Sequence, residues 1–237
     1  MIAREGVKEI LAATVLLAGA GGLLTWLVSP YLVLPLLVLW IWVLAFFRDP
    51  VRRGRFGPGE LCAPADGTVT EVSELRGYGP IPGPAVRIGI FLSLFNVHVN
   101  RFPCVGRVRG TTYKKGLFLD ARHPESGARN ESNTLVIDPD PPIPGPVVVR
   151  QVAGLVARRI ICHAKTGDHF DVGDRFGMIK FGSRTELIVP RDADTEVLVK
   201  IGEKVRGGLT ALLRCSAPAA ARHVPDGATR PAEAVST

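Results

Sequence analysis

Two long apolar stretches at the start of the chain constrain its fold most strongly. Residues 9–28 carry one charge, on Glu9 at the edge, and residues 31–47 carry none. A bilayer core takes about 20 apolar residues per helix, within a range of about 17–25, so each stretch is long enough for one crossing. Ser29-Pro30 separates them and suits a turn, because the backbone before a proline avoids the helical region. We therefore expect a membrane-associated helical hairpin over residues 1–47.

The charges that flank the two stretches predict their orientation. Arg4 and Lys8 precede the first stretch, and the connecting turn carries no charge. Because cytoplasmic flanks are enriched in Lys and Arg, we expect both ends, and the rest of the chain, on the cytoplasmic side of the cell membrane. A cleaved signal peptide fits poorly, because the apolar length is about twice what it needs. A hairpin that lies within one leaflet stays open. The arginines that follow the second stretch are Arg48, Arg52, Arg53 and Arg55.

The overall charge favours an anionic partner. The chain has 29 Lys and Arg against 22 Asp and Glu, a net charge of +7. Only three Tyr are present and no basic run is interleaved with aromatic residues, so we expect an anionic membrane and no nucleic acid. The histidine spacing suggests no metal site. The cysteines lack the Cys-x-x-Cys spacing of zinc or redox sites, which favours buried, reduced thiols: Cys62, Cys104, Cys162 and Cys215.

From Gly57 onward the chain becomes a series of short strand-like runs separated by Gly, Pro and Asp. These runs predict a mainly β domain over residues 48–215, built as a sandwich or barrel. Residues 171–177 and 199–208 resemble barrel-sandwich hairpins, which favours that architecture for the second half. Residues 216–237 lack periodicity and are expected to form a disordered tail. The runs are Thr68–Val72, Val86–Leu94, Val105–Tyr113, Asn133–Ile137, Val147–Val152, Arg158–Cys162, Phe176–Phe181, Thr185–Val189, Val197–Ile201 and Leu209–Leu213.

Three polar residues at the ends of these runs could act together. Asp66 precedes one run, His98 follows a strongly apolar one, and Ser183 stands between two of them. Each has an ordinary structural explanation, as a turn, a satisfied histidine and a bend. Together they supply an acid, a base and a nucleophile. Gly182 adds to this, because it has no side chain to keep the Ser183 hydroxyl from the carbonyl before it.

Five separate pieces, in one order, resemble the phosphatidylserine decarboxylase proenzymes of the short bacterial and archaeal type. The resemblance covers most of residues 48–213. That family often has a second histidine three residues before the catalytic one; Phe95 stands there in this chain, so the role of that histidine is not carried over. The pieces are Phe47-Arg-Asp-Pro50, Ala63-Pro-Ala-Asp-Gly67, Phe95-Asn-Val-His-Val-Asn-Arg-Phe-Pro103, Ala128-Arg-Asn-Glu131 and Phe181-Gly-Ser-Arg184.

The resemblance implies an enzyme that processes itself. Ser183 would attack the carbonyl of Gly182, with His98 as the base and Asp66 orienting that histidine. The resulting ester would break by β-elimination. Ser183 would then become a pyruvoyl group, the covalent cofactor of the enzyme.

The resemblance also implies the reaction and the chains. The pyruvoyl group would hold the substrate amine as a Schiff base, and phosphatidylserine of the membrane would become phosphatidylethanolamine and CO₂. His98 would donate the proton that replaces CO₂. A β chain, 1–182, would stay with an α chain, 183–237, and a homo-oligomer stays open. Because the apolar stretches and the candidate residues are separate in sequence, a chain without residues 1–47 is expected to mature.

Two other hypotheses stay open. In one, Asp66, His98 and Ser183 form the triad of a membrane-anchored serine hydrolase, in a chain order that known triads use, although the Gly-x-Ser-x-Gly elbow is missing. In the other, the chain is a non-enzymatic membrane-anchored barrel-sandwich adaptor, and Gly182 marks only a bend. Some polar residues beside the motifs suit either pocket lining or loop hydrogen bonds: Asn96, Asn100, Arg101, Asn130 and Arg184.

Overall fold

The computed structural model describes residues 1–123, 125–155, 159–180 and 182–215. The predicted tail, 216–237, lies outside these residues. Helices α1 (Val7–Leu27) and α2 (Val33–Phe46) are joined through a 3₁₀ turn at Pro30–Leu32, and α3 (Ser126–Arg129) is a single turn. The strands are β1 (Glu60–Cys62), β2 (Gly67–Leu75), β3 (Ala85–Leu92), β4 (Val99–Arg101), β5 (Gly106–Lys114), β6 (Ser132–Pro139), β7 (Val147–Val152), β8 (Arg159–Cys162), β9 (His169–Phe170), β10 (Arg175–Lys180), β11 (Ser183–Pro190), β12 (Glu196–Val197), β13 (Lys204–Val205) and β14 (Ala211–Arg214).

These strands form three sheets. The largest has eight strands in the order β13-β2-β3-β11-β7-β6-β5-β9, and the smaller ones have the orders β4-β10-β8 and β1-β14-β12. In the part of the chain that the structure describes, the outer strands β13 and β9 do not pair, so the large sheet is open. Strands β10 and β11 are consecutive in the chain but belong to different sheets. Gly182, which precedes β11, therefore lies at a junction of two sheets.

The predicted mainly β domain with an N-terminal helical pair is confirmed, without closure of the sheets into a barrel. Every predicted run overlaps an observed strand. Arg158 and Phe181, at the ends of two of those runs, lie outside the described residues. The sequence patterns missed β1, β4, β9 and β13, because strands of two or three residues are too short to show alternation.

One hydrophobic core joins a face of the large sheet to both small sheets. Alternate residues of β3 and β11, such as Ile88, Ile90 and Leu187, are fully buried in it. Each such side chain contributes about 1.5–3 kcal/mol when it leaves water. Phe102, after β4, stacks on Phe170 of β9 with ring centroids 4.0 Å apart. All four cysteines are free; Cys62, Cys104 and Cys215 are buried as expected, and Cys162 is half-buried.

Helix α1 is long enough to cross a bilayer, and α2 is not. The segment Arg4–Leu27 meets the length and composition of a membrane span, with a mean hydropathy of 2.0. At 1.5 Å per residue, the 21 residues of α1 extend about 32 Å, against a hydrocarbon core of about 30 Å. The 14 residues of α2 extend only about 21 Å. As one continuous helix, residues 31–47 would be long enough for one crossing, but their first residues form the 3₁₀ turn and leave α2 shorter.

The last turn of α2 packs into the β domain. Phe46 and Phe47 are 1 % exposed and share a hydrophobic cluster with Val97, Val99 and Met178. A sequence boundary at residue 47 therefore falls inside a shared core, and the expected independence of the β domain from residues 1–47 is not supported by the packing.

Polar contacts tie the start of the chain to β10. Lys180, at the end of β10, is buried, forms an ion pair with Glu9 of α1 and donates a 2.8 Å hydrogen bond to the carbonyl of Glu5. Its ammonium group also lies 5.6 Å from the ring centroid of Phe47. The helical pair is thus fastened to the strand that leads into Gly182.

Candidate active site

The peptide bond between Gly182 and Ser183 lies at the junction of two sheets. Strand β10 ends at Lys180, and β11 begins at Ser183, which pairs with Leu92 of β3. Gly182 has a φ of +68°, a left-handed conformation that costs other residues about 1–2 kcal/mol. Glycine at this position lets the chain leave one sheet and enter the other within two residues.

His98 bonds to the backbone of Gly182, at the N–H one peptide before the bond to Ser183. Its carbonyl accepts a 3.3 Å hydrogen bond from the N–H of Ile179, which fixes the residue beside β10. Its Nε2 accepts a hydrogen bond from the N–H of Gly182 at 3.2 Å, and its Nδ1 lies 3.0 Å from the carbonyl of Asn96. Nδ1 must therefore carry the proton, and Nε2 presents its lone pair to the N–H of Gly182.

The surroundings of His98 keep its imidazole neutral. Burial lowers its pKa from the ordinary 6.5 to about 4, and the positive charge of Arg48 acts in the same direction, against the Asn96 hydrogen bond and the charge of Asp66. The ring of Phe46 covers the imidazole, with ring centroids 4.4 Å apart. A neutral histidine at pH 7 is able to accept a proton.

Ser183 has an unusual environment for a serine. It is 0 % exposed, and its Oγ has no hydrogen-bond partner among the described residues. A buried hydroxyl in that state costs about 1–3 kcal/mol, so a folded protein seldom keeps one without a chemical reason. Attack on the adjacent carbonyl of Gly182 needs no access from outside, whereas a hydrolase must admit a substrate ester to this hydroxyl in the intact chain, so the environment favours self-cleavage over the serine hydrolase hypothesis.

Gly154, after β7, is a site residue that the sequence analysis missed. A methyl group at its Cα would lie 2.1 Å from the carbonyl oxygen of Gly182. This oxygen belongs to the carbonyl that Ser183 is expected to attack, so the missing side chain of Gly154 gives it room. The only signal in the sequence is a glycine shortly after a strand, which is too common to single out.

Asp66 does not contact His98. Its carboxylate forms a two-point ion pair with Arg52, one contact of which is 2.8 Å, and it accepts a 2.8 Å hydrogen bond from the N–H of Gly207. The expected orientation of His98 by Asp66 is therefore not formed as a hydrogen bond in the described residues, and the carbonyl of Asn96 holds Nδ1 instead. Asp66 reaches His98 only through its charge.

The polar neighbours of the motifs serve mainly to hold the structure. Asn100 bonds to Thr185 at 3.1 Å and to Gln151 at 2.9 Å, and so links β4, β11 and β7. Arg184 forms ion pairs with Glu71 and Glu186 on the face of β11 opposite to Ser183, because successive strand residues point to opposite sides. These contacts favour the structural explanation over pocket lining.

Of the other three neighbours, Arg101 and Asn130 follow the same pattern. Arg101 pairs with Asp49 at 2.9 Å. Asn130 donates to the carbonyls of Leu119 and Ala153, both at 2.8 Å. Asn96 accepts from Ser93 and offers its own carbonyl to His98, so it alone among the five contacts the candidate site.

The fold and the site define a class: a mainly β protein with an apolar N-terminal helix long enough for a membrane and a buried serine beside a neutral histidine. The sequence model of the family described as phosphatidylserine decarboxylase matches residues 39–212, most of the chain and including the buried end of α2. The chain belongs to this family, and it is a decarboxylase.

Several relatives extend the match. The chain is 43 % identical over 216 residues to a phosphatidylserine decarboxylase proenzyme of Rhodopirellula baltica, covering 89 % of this chain and 87 % of the relative. It is 40 % identical over 212 residues to the proenzyme of Carboxydothermus hydrogenoformans, covering 89 % and 95 %. With the proenzyme of Trichlorobacter lovleyi it shares 43 % identity over 182 residues, covering 75 % and 78 %.

Proposed function

We propose that this protein converts phosphatidylserine to phosphatidylethanolamine and CO₂ after it cleaves itself between Gly182 and Ser183. One observation above all supports this: the Ser183 hydroxyl is buried without a partner in the described structure, directly after a glycine that bonds to a neutral histidine. That arrangement places a nucleophile and a carbonyl on the two sides of the Gly182–Ser183 bond, and a base at the N–H of the preceding peptide. The names of the related proenzymes agree with it.

In the proposed maturation, Oγ of Ser183 bonds to the carbonyl carbon of Gly182 while the peptide C–N bond breaks, so the amide becomes an ester. His98 takes the hydroxyl proton and returns it to the released nitrogen. Loss of the proton on Cα of Ser183 then breaks the Cβ–O bond, and the carboxylate of Gly182 leaves. Water replaces the nitrogen on the α-carbon, ammonia departs, and a ketone remains at residue 183.

The residues present fit a pyruvoyl group, because the partnerless Ser183 is its source. When formed, this group supplies a ketone that holds the substrate amine and accepts the electrons left by departing CO₂. His98, whose Nε2 lies 3.2 Å from the backbone nitrogen of Gly182, is the group we assign to donate the proton that replaces CO₂.

We also propose that the β chain, 1–182, and the α chain, 183–237, stay together. Strand β11 begins the α chain and pairs over eight residues with β3 and over five with β7, both in the β chain. Residues 1–47 would associate with the membrane and leave the β domain, 48–215, on the cytoplasmic side. A cleaved protein of this kind keeps its sheet and its core.

The intact mass of purified protein tests the proposal. We expect two chains in place of one of 25.5 kDa, the shorter with a blocked pyruvoyl end, and release of CO₂ from phosphatidylserine vesicles. Ser183→Ala should stay intact and inactive, because no oxygen remains to attack or to become the ketone. A single uncleaved chain that still releases CO₂ would contradict the proposed maturation.

A further inference from the structure

A cavity of about 410 Å³ opens where the end of α2 meets the β domain. This volume lies within the range of about 300–1,000 Å³ that is typical of small-molecule sites. Every charged side chain in its wall is cationic except one carboxylate, and the rest of the wall is largely apolar. The residues that matter here are Arg48, Arg52, Asp66, Val97, Arg206 and Leu209.

Two of these arginines carry charge that no acidic residue offsets. Arg52 is balanced by its ion pair with Asp66. Arg48 donates to the carbonyls of Ala45 and Phe95, both at 2.6 Å, and these are neutral acceptors. The side chain of Arg206 makes no hydrogen bond or ion pair within the described ranges. The cavity therefore presents two arginine side chains, Arg48 and Arg206, whose charge no carboxylate balances.

The cavity adjoins the candidate active site. Val97, in its wall, is the residue before His98. The side-chain charges that act on His98 are those of Arg48 and Asp66, and both line the cavity. Arg48 also follows the last turn of α2, so the cavity lies at the polar end of the apolar helices.

We infer that Arg48 and Arg206 bind the phosphodiester of the lipid substrate's headgroup and so hold its amine and carboxylate beside His98. Guanidinium groups match phosphate oxygens in geometry and charge, and they keep their charge at every physiological pH. The ion pair between Arg52 and Asp66 forms part of the cavity wall, and the charge of Arg52 weakens the repulsion between Asp66 and the bound phosphate. This assignment rests on the proposed function.

Binding can be measured apart from catalysis. Full-length Ser183→Ala protein in detergent is titrated by calorimetry with glycerophosphoserine, with inorganic phosphate and with free serine. We expect glycerophosphoserine to bind most tightly and Arg206→Gln to weaken it about tenfold, the effect of losing one charge-assisted hydrogen bond. The control is Arg53→Gln, an equal loss of charge at an exposed residue outside the wall, with an expected change below about twofold.

Three binding results would overturn the inference. Inorganic phosphate that binds as tightly as glycerophosphoserine would indicate a free-phosphate site. Equal weakening by Arg53→Gln and Arg206→Gln would indicate general surface charge. Failure of glycerophosphoserine to bind at all would show that the cavity does not bind the headgroup.

Kinetics on the mature enzyme separate the inference from the proposed function. With phosphatidylserine in mixed micelles, Arg206→Gln should raise KM about tenfold and leave kcat within about twofold, because the arginine binds a part of the substrate that does not react. A fall in kcat with KM unchanged would overturn the assignment while the proposed function stands. If the unaltered protein releases no CO₂, the proposed function fails, and the binding titration still reports on the cavity.

Discussion

The backbone N–H of Gly182 donates a 3.2 Å hydrogen bond to Nε2 of His98, a residue 84 positions earlier in the chain. The hydrogen bond occupies the lone pair of Nε2, the one ring nitrogen of a neutral His98 that can accept a proton. Its donor, Gly182, is also the residue whose carbonyl is expected to react. The same lone pair must be free before it can accept a proton from Ser183. We therefore expect a small movement of the Gly182 peptide to precede cleavage.

Replacement of His98 should block maturation. His98→Gln keeps a hydrogen-bonding group of similar size but removes the base, and general acid–base groups contribute about 10²–10⁴-fold. The intact chain should therefore accumulate, with the rate of two-chain formation followed by mass spectrometry. The slowly matured fraction should then release CO₂ slowly. Full turnover by that fraction would confine His98 to maturation.

Asp66 and Arg52 should matter mainly for stability. Asp66→Asn leaves the buried guanidinium of Arg52 unpaired, and loss of one partner of a buried pair costs about 3–5 kcal/mol. The double variant Arg52→Met/Asp66→Leu removes both charges and should recover most of this loss in denaturant unfolding. Recovery of stability without recovery of cleavage would show that the charge of Asp66 acts on His98.

Gly154→Ala should slow maturation strongly. The added methyl group would lie 2.1 Å from the carbonyl oxygen of Gly182, so that carbonyl must move. A displacement near 1 Å at a reacting group costs about 10²-fold in rate. The control is Gly110→Ala, where a methyl group would meet nothing within 4 Å. Cleavage of Gly154→Ala at the normal rate would show that the carbonyl needs no such space.

The buried His98 should make stability depend on pH. Its pKa falls from about 6.5 when unfolded to about 4 when folded, so the unfolded chain binds the extra proton between these values. The contribution of His98 to the free energy of unfolding is therefore fully present above pH 6.5 and is lost as the pH drops to 4. The loss is about 3 kcal/mol, because each pKa unit corresponds to 1.36 kcal/mol. Denaturant unfolding of the Ser183→Ala protein at pH 7 and pH 4.5 measures this. His98→Gln in that protein should reduce the difference, and an unchanged difference would assign it to other groups.

Phe46 should be needed for maturation although it ends an apolar N-terminal helix. Phe46→Ala removes a buried ring at a cost of about 3–5 kcal/mol and opens the His98 imidazole to water. Cleavage should slow in this variant and in a chain that lacks residues 1–47. Trp26→Ala serves as the control, because that side chain is 81 % exposed on α1. Normal cleavage of both altered proteins would show that residues 1–47 are not needed for maturation, as the sequence analysis expects.

The sequence by itself determined the features that depend on local pattern. Apolar length predicted α1, alternation and turn residues predicted the longer strands, and the spaced motifs predicted the family. Gly182 and Ser183 could be selected because they are neighbours, and a glycine before a serine permits the proposed attack whatever lies around it. His98 was selected through its motif.

Only the tertiary structure decided which distant groups meet. It assigned Asp66 to Arg52, the imidazole of His98 to Asn96 and Gly182, and the space beside the reacting carbonyl to Gly154. It also placed the end of α2 in a hydrophobic cluster with the β domain, and it made α2 shorter than the apolar stretch 31–47. Alternation and spacing act over a few residues, whereas these contacts depend on how separate sheets and helices pack, which no local pattern specifies.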